Sequence, residues 1–247
     1  MLGLPTCGGE QRAAEPAPMR VTLIPVKTFG RSKQRLAPLL SPDERTALAV
    51  AMFRDVLAVA TAARGVDRVC VATADAEALR LAAAAGATGL IEGEQRSESA
   101  SVDWGAARCA AMGARSVLIL PADLPLLTPA DLEAVLAAAG EGPGVVLVPS
   151  ADELGSNAIL RTPPDAIPSR FGHGSFERHQ REAAQRGLAC RVLRLPRVAL
   201  DVDEVEHLEA VLAAEASTRP AAESSTHTHA LLRRLGVAER LSARLPS

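Results

Sequence analysis

Four cations crowd one short stretch of the chain, Lys27, Arg31, Lys33 and Arg35, within the run IPVKTFGRSKQRL. Phosphate chemistry needs positive charge gathered at one edge, and guanidinium groups can hold phosphate oxygens in pairs. A solvated basic loop is the alternative reading, since charge runs are commonly no more than that. The run lacks G-x-x-x-x-G-K-[ST], so a Walker-type phosphate loop is unsupported. Further on, Asp123 stands in PADLPLL directly behind the apolar run SVLIL. A carboxylate at the end of an apolar strand is costly unless it is paired or binds a cation. Magnesium favours hard oxygen ligands and often bridges a carboxylate to substrate phosphates. Capping of the following turn is the plainer alternative for Asp123. A second acidic group is Leu200-Asp201-Val202-Asp203, whose two carboxylates share one side if the segment is extended. Asp203 has a structural alternative as an N-cap partner of Glu206.

A third constellation joins Gly155-Ser156-Asn157 to Phe171-Gly172-His173-Gly174-Ser175. Glycines beside a serine at a helix start expose backbone N–H groups to an anion; simple capping by Ser175 is the alternative. His173 and His179 have no Ser or Cys nucleophile pattern beside them and read as polar surface residues. His227 and His229 fall in a linker. Cations for a triphosphate, carboxylates for magnesium and a separate anion site are the equipment of in-line nucleotidyl transfer. An acceptor phosphate needs no deprotonating base there, because its oxygen is already ionised.

These residues can cooperate only if the fold gathers them. The apolar, β-branched run Arg20–Val26 predicts a first strand. Ser41, Pro42 and Glu44 predict a capped helix start, with the helix running to about Ala63. Further strands are predicted at Asp67–Ala74, Gly89–Glu92, Ser116–Leu120, Val145–Pro149, Ala158–Arg161 and Cys190–Leu195. Helices are predicted at Ala76–Ala85, Ser101–Gly113, Pro129 to near Gly140, about Phe176–Arg186 and Asp203–Ala214. This alternation implies a mostly parallel sheet with helices on both faces. Ligands of such sheets bind beyond the carboxyl ends of the strands, near a switch in strand order. The cations, Asp123 and the Asp201–Asp203 pair each follow a strand. Residues 1–18 read as a disordered extension, 19–215 as the domain, and 216–247 as a linker with a helical tail. The tail, Ala230–Leu245, is apolar at helical spacing with a basic opposite face. Docking is its plain reading, and contact with a membrane or partner the alternative.

Composition narrows the field of functions. A chain of 247 residues, 48% hydrophobic and 23% charged, is ordinary for a globular protein and excludes a disordered or collagen-like one. Lys plus Arg (27) nearly balances Asp plus Glu (29), so no global field recruits nucleic acid or an anionic membrane. Aromatics at 2% argue against stacking platforms for single-stranded nucleic acid. Four cysteines with no C-x-x-C pair argue against a zinc knuckle or a dense disulfide framework. No signal peptide and no apolar run of membrane-spanning length is evident, and a cytoplasmic location is expected. Partners should be small molecules rather than nucleic acid or membrane, and a homodimer is compatible with the sequence.

Six motifs occur in the order IPVKTFGRSKQRL, SPDERTALAVAMFRDVL, PADLPLL, GSNAIL, FGHGSFERH and LDVDEVEHL. The series resembles the guanylyltransferases of coenzyme F-420 biosynthesis, which act on 2-phospholactate, phosphoenolpyruvate or 3-phosphoglycerate. It spans about Arg20 to Leu212. The resemblance implies a Rossmann-like nucleotidyltransferase fold of the nucleotide-diphospho-sugar transferase type, α/β in three layers with a mostly parallel sheet. It implies transfer of GMP from GTP to a small phosphorylated three-carbon acid, with pyrophosphate released and magnesium as cofactor. By the same resemblance Lys27, Lys33 and Arg35, with Arg31 beside them, contact the GTP phosphates. Asp123, Asp201 and Asp203 hold magnesium, and Ser156, Asn157, Gly172 and Ser175 form the acid site.

Two departures stand out. This chain has Gly155-Ser156-Asn157 where many members have Gly-Thr-Asn, and Val102-Asp103 where many have Leu-Asn. The stretch from Arg96 to Val102 instead resembles the Arg-x-x-Ser-Val pattern of related cytidylyltransferases, which marks Ser101 and Asp103 as nucleotide-binding. A molybdenum-cofactor guanylyltransferase or a cytidylyltransferase of the same fold is the nearer rival. Those usually carry a glycine-rich loop after the first strand, whereas Lys27–Arg35 holds a single glycine. A catalytically inactive nucleotide-binding protein is the more distant rival.

Overall fold

The first strand, β1 (Arg20–Val26), has no polar face. Val21 and Leu23 pack to one side and Ile24 and Val26 to the other, as a central strand covered by helices requires. The computed structural model describes residues 19–93, 97–218 and 226–244. The extension 1–18 and the middle of the linker lie outside them. Six further strands follow: β2 (Arg68–Thr73), β3 (Thr88–Ile91), β4 (Ser116–Ile119), β5 (Gly144–Pro149), β6 (Ser156–Thr162) and β7 (Ala189–Val192). They form one sheet in the order β3-β2-β1-β4-β6-β5-β7. Only β6 runs against its neighbours, so the sheet is mostly parallel, as expected.

Helix α1 (Pro42–Ala62) opens on the capping box of Ser41 and Glu44. With α2 (Ala76–Ala84) and α4 (Pro129–Ala137) it covers one face of the sheet. Helices α3 (Glu98–Ala111) and α5 (Ser175–Gln185) cover the other. Helix α3 starts about a turn earlier than the pattern predicts, because Ser97 caps it by accepting from the Ala100 N–H. A short helix α6 (Pro196–Ala199) and the longer α7 (Val205–Thr218) follow β7. The chain leaves β1 for β2 and β3 on one side, then returns to β4 on the other. This is the switch in strand order, and a crevice opens beyond it.

The region beyond residue 215 differs from the sequence reading. The single tail helix is two, α8 (His227–Arg234) and α9 (Val237–Ser242), broken at Gly236, whose φ of 60° suits glycine. Leu231, Leu232, Val237 and Leu241 are buried with Leu36, Leu40, Leu48, Met52, Val202 and Leu208 in a third core cluster. The buried carboxylate of Asp55 accepts the N–H groups of His227 and Thr228, each at 2.8 Å. His229 is buried too, its Nδ1 2.7 Å from Thr226 Oγ1. These residues pack against the domain, and the two histidines belong to α8 rather than to a linker.

Candidate functional site

The crevice at the switch point measures about 400 Å³. Lys27, Arg31 and Lys33 enter it from the loop after β1, and Asp123 from the loop after β4. Ser156 and Asn157 enter from the start of β6, Asp201 and Asp203 from the segment before α7, and Ser101 from α3. Most of the residues singled out by sequence therefore share one cleft.

Lys33 sits at its heart. Its backbone adopts φ 56° and ψ 36°, a left-handed conformation uncommon outside glycine and one that tends to mark functional sites. Its Nζ lies 2.5 Å from Asp123 Oδ2 and 2.9 Å from Asp203 Oδ1. Burial alone would lower the lysine pKa, but Asp123 and Asp203 more than reverse that, so the ammonium stays charged. Asp203 answers in kind: burial pushes its pKa up, but the charge and hydrogen bond of Lys33, with Arg35 and His207 nearby, together outweigh burial, and the net shift is downward. Asp201, which lacks that cation, is raised by burial and by neighbouring Asp123. The helix-capping alternative for Asp203 falls away, since its carboxylate faces Lys33. His207 Nδ1 instead accepts the N–H groups of Asp203 and Glu204.

Among the described residues no three His, Cys, Asp or Glu side chains converge as a ready metal cage. Magnesium seldom uses such a cage; one or two carboxylates plus substrate phosphates suffice. Asp123 Oδ1 is buried with no hydrogen-bond partner. Three carboxylates against one ammonium leave two negative charges when all are ionised. The donor set therefore fits a divalent cation that completes its shell on a phosphate ligand.

Asn157 Nδ2 donates to Asp201 Oδ1 at 3.0 Å and to the carbonyls of Val198 and Ala199, and so holds that carboxylate in place. Ser175 is buried, and its Oγ accepts the Ser156 N–H at 3.0 Å. Gly172 and Gly174 take positive φ in the turn that brings Ser175 there. Gly172 and Ser175 support Ser156 from behind rather than lining the crevice. Arg35 stands outside as well, in an exposed ion pair with Glu204 at 3.3 Å. Asp103 is turned to buried Arg161 at 2.9 Å and to the Ser169 N–H and hydroxyl; it braces β6, while Ser101 lines the crevice.

His179, taken from sequence as a surface residue, is fully buried. The Arg170 N–H donates to its Nε2 at 2.8 Å, which leaves the ring proton on Nδ1, 3.0 Å from Ser156 Oγ. The ring thus donates to the serine and frees the serine proton for the crevice. Its spacing with Phe176 and Ala183 on one face of α5 was the available signal. Burial, with Arg161 and Arg178 nearby, pushes the His179 pKa from 6.5 down to about 3. A folded value below the unfolded one means stability is full above the unfolded pKa and is lost as pH falls toward the folded one. The expected slope is up to about 1.4 kcal/mol per pH unit in that window. Denaturation of wild type and His179→Asn at about pH 7 and about pH 5 reads this, and coincident slopes would sink it.

A crevice at the switch point, basic on one wall and acidic on the other, in this strand order defines an α/β protein of the nucleotide-diphospho-sugar transferase type. A solved structure from Desulfovibrio desulfuricans G20 assigned to those transferases matches with a TM-score of 0.72 at 16% identity, over 90% of this chain and 98% of that one. That likeness shows the fold. The chain belongs to the guanylyl transferase CofC-like family, whose model matches residues 19–242. It is 41% identical over 186 residues to a phosphoenolpyruvate guanylyltransferase of Rubrobacter xylanophilus, covering 75% of this chain and 90% of that protein. It is 37% identical over 214 residues to a 2-phospho-L-lactate guanylyltransferase of Methanothermobacter thermautotrophicus, covering 86% and 89%.

Proposed function

We propose that the chain is a guanylyltransferase that moves GMP from GTP onto a small phosphorylated three-carbon acid and releases pyrophosphate. The observation that carries this is the Lys33–Asp123–Asp203 cluster, with its unpartnered carboxylate oxygen, in the crevice of a family member. Lys27 and Arg31 bind triphosphate oxygens, and Lys33 keeps the acidic wall in register. Asp123, with Asp201 and Asp203, would hold magnesium, which when bound offsets charge building on the phosphates. An oxygen of the acceptor phosphate attacks the α-phosphorus, and the bond to the β-phosphate bridging oxygen breaks. Because that acceptor oxygen is already ionised, the site needs no general base. Ser156, its hydroxyl freed by His179, donates to the acid.

The acceptor we favour is phosphoenolpyruvate or 3-phosphoglycerate. Ser156 lacks the threonine methyl, which leaves room for a hydroxylated acid. The resemblance in motifs supports a role for this step in coenzyme F-420 biosynthesis, and a cytoplasmic location is part of the same reading. Among the described residues no helix is long and apolar enough to cross a membrane. The test gives purified protein GTP, magnesium and all three acids together, with products resolved by mass. Pyrophosphate should appear only with a phosphorylated acid, and release with none of them would end the proposal. Consumption of 2-phospholactate alone would overturn the choice of acceptor and leave the transfer reaction standing.

Lys27 pairs with Glu98 at 3.2 Å, both side chains well exposed, so its ammonium can leave that partner for a phosphate. Lys27→Ala should raise the KM for GTP about tenfold and slow turnover. Unchanged kinetics would return the loop to the solvated reading.

A further inference from the structure

Among the described residues two carboxylate oxygens are buried without a hydrogen-bond partner, Asp123 Oδ1 and Glu92 Oε1. Both side chains line the same crevice. The first belongs to the cation-binding end already described. The second has no role there. Glu92 directly follows β3, and its N–H donates to the Thr73 carbonyl at 3.0 Å, which extends the β2–β3 ladder by one rung. Only 6% of the residue is exposed. The strand order puts three strand spacings between β3 and β4, roughly 14 Å. That is the scale of a nucleoside triphosphate drawn out from its phosphates to its base. Between the two ends the crevice is lined by Ala72 and Ala74, whose short side chains leave its floor open.

A carboxylate oxygen buried without a donor is unfavourable, so its donor is expected to arrive with the ligand. Bases differ in what they can bring. Adenine and cytosine each present one amino donor beside a ring-nitrogen acceptor, and uracil presents one N–H between two carbonyls. Guanine alone presents two adjacent donors, N1–H and the 2-amino group, matched to the two oxygens of a carboxylate. We infer that Glu92 is the residue that reads guanine, accepting both of those N–H groups at the β3 end of the crevice. The inference rests on the reading of GTP as nucleotide donor.

The test compares kcat/KM for GTP, inosine triphosphate and xanthosine triphosphate in wild type and Glu92→Gln, with CTP as a further donor for wild type. Inosine lacks the 2-amino group, so the wild type should use its triphosphate about tenfold less well than GTP. A carboxamide has one acceptor and one donor, which match the N1–H and C2 carbonyl of xanthine. Glu92→Gln should therefore lose about 100-fold with GTP and prefer the xanthosine nucleotide, reversing the order. A side chain with only a structural role would lower all three nucleotides in step, and that result overturns the assignment. Equal use of GTP and the inosine nucleotide by wild type overturns it as well, with no variant needed. Wild type that works with CTP and not GTP would overturn the donor assignment itself, and Glu92 with it. Normal GTP turnover with an unreversed order in Glu92→Gln overturns Glu92 alone.

Discussion

Asp123→Asn is expected to lower turnover about 1,000-fold while leaving the fold intact. The carboxamide keeps the shape of the side chain and can still accept from Lys33, which also retains Asp203 at 2.9 Å. What is lost is the charge of the one carboxylate oxygen in the acidic wall that is buried and unpartnered. Weaker cation binding should appear as a higher magnesium requirement, and added magnesium should recover part of the rate. Thermal unfolding alongside wild type separates this from a folding defect. Near-wild-type turnover at low magnesium would remove Asp123 from the chemistry.

Deletion of residues 226–247 is expected to abolish cooperative folding. Four aliphatic side chains on α8 and α9 are buried in the third core cluster. At about 1.5–3 kcal/mol each, they contribute roughly 6–12 kcal/mol, comparable to the whole net stability of a domain. The deletion also strips Asp55 of both N–H donors and leaves a buried carboxylate unpaired. Arg240, which pairs with Glu44 at 2.8 Å beside the α1 capping box, goes with them. Calorimetry of the truncated chain should show no sharp transition. A melting temperature within a few degrees of full length would sink the prediction.

Local signals explain what could be read from sequence. Ser41-Pro42-Asp43-Glu44 announces a helix start without reference to the rest of the chain, and α1 begins there. The buried runs of β1 and β4 are apolar on both faces, and residues just beyond them fall at a sheet edge in any parallel arrangement. That is why Lys27, Lys33 and Asp123 could be named together, whereas Asp201 reaches the crevice after the short helix α6 rather than directly after a strand. Side-chain direction was not legible. Arg35 is two residues from Lys33, but the short helical turn over Gln34–Leu36 sends it outward to Glu204. Asp103 is two residues from Ser101 on α3, and a two-residue step along a helix changes face. Its partner Arg161 is distant in sequence. His179 was hidden for a related reason: its partners Ser156 and Arg170 are brought by another strand and loop.

The third core cluster holds Leu36, three residues past Lys33, and Val202, between Asp201 and Asp203, against Leu231, Leu232, Val237 and Leu241. The two loops that carry the charged centre thus share an anchor with helices made much later in synthesis. Chains emerge from the ribosome amino end first, at about 5–20 residues per second, and most of this sheet can form on the way. Leu36 and Val202 meet their full set of neighbours only after Leu241 has emerged. Competence for catalysis is therefore among the last events of this protein's birth, and a stalled nascent chain holding every charged residue of the crevice would still be inactive.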